Sequence, residues 1–394
     1  MLGTAAFLAC SMAAAAPLAT LRADTPAGAA LSNSQLAAQV IMAGIDSCGA
    51  VSGAEKRRLT AIPVGAIMLF KKNLTAAIPD IKRMNGELCA VIEEACGIKP
   101  FIALDHEGGI IYRFENEVAR LPAPFSYSRL AVQEGTGAAL ARIRLDAALA
   151  AGELNRLGIT MNLAPVVEPL TAENRAFLDT RSYGEDPVWA GAAALSFVQG
   201  MAQGGVFCVL KHFPGNSAAD PHMARPVWNA GTGELKRLVA PFQSVITAHP
   251  RCAVMLSHAV VPAWDEKNNA SLSPDIIARL RNEYRFDGIV IADDFSMGAV
   301  KGIAPPEELA VRAVLAGADM VMAWPNNLGA VHGALLRALE TGRLPRSRMA
   351  GAVARIVRAK QAYNPAFSSA SAENPSERRA ARLTGFPFLR AVCR

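Results

Sequence analysis

Eight short apolar runs, each followed by a longer amphipathic stretch, govern what this 394-residue chain can become. They are Val40–Ile45, Gly65–Phe70, Phe101–Asp105, Gly158–Pro165, Val206–His212, Cys252–His258, Gly288–Asp293 and Ala318–Trp324. Runs of large aliphatic residues without polar alternation predict strands buried on both faces, as in a parallel sheet covered by helices. Ala76–Cys96, Ala138–Leu157, Pro187–Gly200, Glu234–Ala248, Ser273–Arg281 and Pro306–Ala316 carry helical patterning, and Ser273 followed by Pro274 is a helix-start signal. Eight strand–helix units suit an α/β chain closed as a single-domain (β/α)8 barrel of the TIM type. A doubly wound open sheet is the competing architecture.

The polar residues favour closure. Asp105-His106-Glu107, Asn162, Lys211-His212, His258 and Asp293-Asp294 stand where the runs end. A barrel gathers all those ends around one mouth, so residues scattered in sequence are expected to converge in space.

Outside the runs the chain changes character. No charged side chain precedes Arg22, and this Ala-rich opening predicts a leader over residues 1–24 of the kind that directs export, whether periplasmic, lipid-anchored or secreted. Phe7-Leu8-Ala9-Cys10 loosely resembles a lipoprotein cleavage site, which would make a lipid anchor at Cys10 the one contact with a membrane. If the leader is not a signal, the protein is cytoplasmic. The barrel is expected over residues 32–362 and a low-complexity basic tail over 363–394. From Ala362 to Arg394 five Arg stand against two Glu, half of the net charge of +6, so the charge does not argue for nucleic acid. Seven Cys without a CxxC or a paired framework exclude a disulfide scaffold, and no Cys/His cluster has zinc-ligand spacing. Neither a metal nor another cofactor is expected, and the chain is expected to act as a monomer.

Four segments carry chemistry. Lys211-His212-Phe213-Pro214-Gly215 runs off a strand into a loop bearing Asp220-Pro221-His222. Asp and His two residues apart can hydrogen-bond, which orients the imidazole; alone, the pair reads equally as a general acid/base at neutral pH or as a surface turn without function. Phe286–Met297 ends an apolar strand in Asp293-Asp294, carboxylates able to ligate a metal, cap a helix or attack an electrophilic carbon. Ile102–Gly109 contains Asp105-His106-Glu107-Gly108-Gly109, and Asn162–Glu168 leads on to Arg181-Ser182-Tyr183-Gly184-Glu185-Asp186-Pro187. Each of these last two is ambiguous alone.

Together and in this order they resemble glycoside hydrolase family 3, and within it the single-domain β-N-acetylglucosaminidases of the NagZ type. Leu69–Asn73 and Met255–His258 also match family segments. The resemblance, over about Ser32 to Ala362, implies a barrel fold and hydrolysis of terminal N-acetyl-β-glucosaminides, with peptidoglycan fragments as the natural substrate. It implies Asp293 as nucleophile, His222 as acid/base and Asp220 as its partner. Asp105, Arg181, Lys211 and His212 match positions that hydrogen-bond the sugar hydroxyls. Retention by double displacement follows, with a His where most retaining enzymes place a second carboxylate. A neutral imidazole repels anions less than a carboxylate does, so phosphate is a conceivable acceptor in place of water.

The chain also departs from the family pattern. Asn216 replaces a usual His, Ser217 a Gly, Pro221 a Ser, Ile110 an Arg and Glu168 an Asp, and the loop from Lys211 to Asp220 is about two residues short. Three rival readings follow: preference for another β-glycoside such as a glucoside, a sugar-binding barrel without turnover, and a metal-dependent hydrolase using Asp105, His212, His222 and Asp293.

Overall fold

A computed structural model describes residues 31–363 except 116, 117 and 218; the leader, Cys10 and the tail beyond Tyr363 lie outside the described residues. Each of the eight apolar runs contains a strand. They are β1 (Ile41–Gly44), β2 (Ala66–Leu69), β3 (Phe101–Leu104), β4 (Met161–Asn162), β5 (Phe207–Phe213), β6 (Ala253–Leu256), β7 (Ile289–Ala292) and β8 (Val321–Ala323). All are parallel and follow one another around the sheet, with β8 paired to β1. The ring closes between β7 and β8, where Ala292 N–H donates to the Met320 carbonyl at 2.9 Å and Met320 N–H to that of Val290 at 3.0 Å. The open-sheet alternative is thereby excluded. Every residue of these strands is buried, which explains the unbroken apolar runs: one face fills the barrel and the other meets helices.

The helices begin and end close to where their patterning stops. Pro306–Ala316 matches its expected span, and Ser273 caps the helix Pro274–Asn282 by accepting from Ile276 N–H at 3.1 Å. At the N-terminal ends of the strands, fully buried Asp319 is met by Arg281 at 2.5 Å, Arg348 at 3.4 Å and Arg355 at 3.5 Å. This network ties the helices Pro274–Asn282 and Arg346–Tyr363 to the barrel base and leaves the opposite end to the loops. One loop forms an antiparallel ribbon, Val260–Val261 with Asp265–Asn269. No helix among the described residues is long and apolar enough to cross a membrane.

Candidate active site

At the C-terminal ends of the strands lies a cavity of about 220 Å³ to which each of β2 to β8, or the residues just after it, contributes. Met68, Leu163, Met255 and Met322 supply apolar lining, and Phe70 meets Trp324 edge-on with ring centroids 5.3 Å apart. The volume is below the range of about 300–1,000 Å³ usual for drug-sized ligands, and so matches one sugar ring better than an extended chain.

One wall is a chain of charges. Lys211, carried by β5, places Nζ 2.7 Å from Asp105 Oδ1 and 2.6 Å from Glu107 Oε1. Arg113 donates to the other Asp105 oxygen at 2.9 Å, and Arg181 grips Glu107 with Nε at 2.8 Å and Nη2 at 2.9 Å. Burial works to raise both carboxyls, but Lys211 with Arg113, and Lys211 with Arg181, outweigh it and hold them below the ordinary range. Lys211 is raised: burial opposes its charge, and the two carboxylates prevail. The turn that presents Glu107 requires glycine next. Gly108 has φ of 100°, and a Cβ there would stand 2.2 Å from the Pro122 carbonyl oxygen.

The second wall is imidazole. His212 donates Nδ1–H to Glu168 Oε1 at 2.7 Å, which leaves Nε2 without that role and its ring lining the cavity. Glu168 also accepts from the backbone N–H of His212 at 3.1 Å and of Asn216 at 2.6 Å. On the rim, Asp220 Oδ1 receives both the Nδ1–H of His222 at 2.8 Å and its backbone N–H at 2.9 Å. Burial works to raise the Asp220 carboxyl, but these bonds from His222, with its charge and that of Arg181, together outweigh it and leave the group depressed. Because Nδ1 is committed, Nε2 is the nitrogen able to exchange a proton with a bound molecule.

Asp293 stands at the end of β7, where its Oδ1 accepts the N–H of Asp294 at 2.8 Å. Asp294 is held from two sides: His258 Nε2 meets its carbonyl at 2.9 Å and Trp324 Nε1–H donates to its Oδ1, also at 2.9 Å. Burial lowers the basicity of His258, favouring a neutral ring that accepts from the Ser271 hydroxyl at 2.8 Å and donates to the Asp294 carbonyl.

Asp105, Arg181, Lys211, His212, His222 and Asp293 therefore line one cavity, with Asp220 behind His222. Convergence of every strand-end polar residue is corrected in three cases. Asn162 turns inward and clasps the backbone of His106, and His106 itself is buried against the Ala119 carbonyl, its pKa pushed down to about 4 by desolvation. His258 supports Asp294 without lining the cavity. Sequence reasoning missed Glu107 as the hub of the charge chain, although it stood in the quoted motif. Arg113, Phe177 and Trp324 were missed as well. Only the position of Trp324 at the end of the eighth run could have signalled it. Ile110 is 67% exposed and its neighbour Ile111 lines the cavity instead. Among the described residues no group of three or more His, Cys, Asp or Glu could hold a metal ion, so the metal-binding cluster of the third rival reading is not assembled.

The model of the glycosyl hydrolase family 3 N-terminal domain matches residues 34–359. The chain belongs to glycoside hydrolase family 3. It is an O-glycosyl hydrolase, as the four segments had implied. A β-hexosaminidase of Tolumonas auensis is 32% identical over 293 residues, covering 73% of this chain and 84% of that protein. One of Neisseria meningitidis is 31% identical over 271 residues, 68% of this chain and 73% of its own. Among solved structures, a family 3 β-N-acetylglucosaminidase of Paenibacillus superposes with a TM-score of 0.80 at 31% identity, covering 88% of this chain. This chain spans only 65% of that protein's length. NagZ of Neisseria gonorrhoeae gives a TM-score of 0.66 at 25% identity over 81% of this chain and 98% of its own.

Proposed function

We propose that this family 3 hydrolase is a retaining β-N-acetylglucosaminidase that removes terminal N-acetyl-β-glucosamine, with peptidoglycan fragments as its substrates. The observation that carries the reading is the Asp220–His222 dyad on the rim of the cavity that Asp293 closes from β7. The hexosaminidase names of its relatives support the choice of sugar.

In this reading Asp293 attacks the anomeric carbon while His222 Nε2–H protonates the departing oxygen. The glycosyl–Asp293 ester is then cleaved by water that His222, now neutral, deprotonates, and configuration is retained. Asp220 keeps the Nδ1 proton in place and stabilises the imidazolium that donates in the first step and forms again when water is deprotonated in the second. Asp105 and Lys211, with Arg181 and His212, hold the sugar hydroxyls in a wall already neutralised by its own pairs, so binding demands little reorganisation. The export leader read from the sequence would put the enzyme where cell-wall fragments arise.

The test is release of 4-nitrophenol from its N-acetyl-β-glucosaminide against its β-glucoside, with Asp293→Ala as control. The reading expects a preference of at least tenfold for the N-acetyl sugar and loss of turnover in the variant. Equal rates on both sugars, or an Asp293→Ala protein as active as the parent, would overturn it.

A further inference from the structure

Behind the loop that carries His222 lies a second cavity of about 400 Å³, which shares no lining residue with the first. The same two segments form the partition: Pro221 and Met297 face the sugar cavity, Arg225 and Ile303 the other. They are joined between, since Gly298 N–H donates to the His222 carbonyl at 3.1 Å and Ala299 N–H to that of Pro221 at 2.9 Å.

Three cationic residues line this cavity and no carboxylate does. Arg312 is paired with Glu308 at 2.9 Å, whereas among the described residues neither Arg225 nor Lys267 has an ion-pair partner. Asp265, on the same ribbon, spends its carboxylate on the N–H groups of Lys267 and Asn268 and the hydroxyl of Ser273. Asn269 is 1% exposed, yet neither its Oδ1 nor its Nδ2 has a hydrogen-bond partner. Buried amides are almost always satisfied, so an unsatisfied one lining a cationic cavity marks a place for a polar ligand. Ile303 and Leu315 add apolar surface, in keeping with small-molecule sites where a few polar groups fix orientation.

We propose that this cavity binds a small organic anion, a carboxylate or phosphate on an apolar body, as a molecule separate from the sugar substrate. Arg225 and Lys267 meet the charge, the Asn269 amide donates to it, and Ile303 and Leu315 receive the apolar part. Arg225 is three residues from His222 and donates to the Lys267 carbonyl at 3.3 Å, so an occupant rests against the loop that holds the dyad.

The probes are benzoate and phenyl phosphate, titrated calorimetrically into the full chain, with benzamide as the neutral control. Saturable binding of at least one anion is expected, unaffected by Asp293→Ala and weakened at least tenfold by Lys267→Met and by Asn269→Leu. Asn269→Leu is expected to melt no lower than the parent, because it removes an unpaired buried amide, and Lys267→Met alters an exposed side chain. No saturable binding, equal binding of benzamide, unchanged affinity in both variants, or displacement by N-acetylglucosamine would overturn the proposal. Because the readout is binding, failure of the glycosidase reading leaves this test intact.

Discussion

Glu168 holds Asn216 through both carboxylate oxygens: Oε2 accepts the Asn216 backbone N–H at 2.6 Å and Oε1 its side-chain amide at 3.0 Å. In the sequence these two residues are separate departures from the family pattern; in the structure they touch, and Oε1 is the atom that also receives His212 Nδ1. One carboxylate thus sets the ring of His212 and the start of the shortened loop together. Glu168→Gln replaces one acceptor by a donor facing N–H groups. A fall in kcat/KM of about ten- to a hundredfold is expected, since small displacements of positioned groups cost rate on that scale. Asn216→Ala should act through the same contact, so the double variant should lose far less than the product of the two single losses. Steady-state kinetics on the chromogenic glycoside measure this.

Gly298 bears on the opposite side of the loop. A Cβ there would lie 2.5 Å from the His222 carbonyl oxygen and 2.8 Å from the backbone of Met223. Gly298→Ala must push the His222 turn away from the residues that follow Asp293, while leaving the barrel strands alone. A loss of about a hundredfold in kcat/KM is expected with a melting temperature near that of the parent.

Much of this was legible because buried parallel strands leave an unmistakable record. Val206–His212 and Gly288–Asp293 read as apolar runs ending in ionisable residues, and they deliver Lys211, His212 and Asp293 to the cavity. What a run cannot disclose is which way its last side chain turns. Asn162 and His258 have the same sequence setting as Lys211, yet each is used up by a backbone carbonyl. Glu107 was hidden for the converse reason. Its role comes from Lys211 and Arg181, 104 and 74 residues away in sequence, and no local spacing records such a pairing.

That pairing makes a stability prediction with a definite sign. Asp105 and Glu107 titrate lower in the folded chain than in the unfolded one. Their contribution is therefore complete above the unfolded carboxylate pKa of about 4.3 and is lost as pH falls below it. Glu107→Gln leaves Arg181 and Lys211 buried with half their charge unanswered. It should cost about 3–5 kcal/mol at pH 7, and its melting temperature should fall less steeply below pH 4 than that of the parent. Thermal melts of both proteins from pH 3 to 8 check this.

Lys360 gives the opposite pH dependence. It is buried beneath the barrel with Gln39 Oε1 at 3.2 Å as its polar contact, and desolvation lowers its pKa from 10.5 to about 7. The unfolded chain holds the proton up to pH 10.5, so the burial penalty is full below pH 7 and is relieved as pH rises between those values. The shift corresponds to at most about 5 kcal/mol. Lys360→Met should raise the melting temperature at pH 6, and the gain should shrink by pH 9.5.

Double displacement requires that Asp293 become covalently bound to the sugar. Incubation with a 5-fluoro N-acetylglucosaminyl fluoride, which slows breakdown of a glycosyl-enzyme, followed by peptide mass spectrometry tests it most directly. One fluorosugar adduct per chain is expected, on Asp293, and none in Asp293→Ala. An adduct on Asp294, or turnover of the reagent by Asp293→Ala at the parent rate, would contradict it.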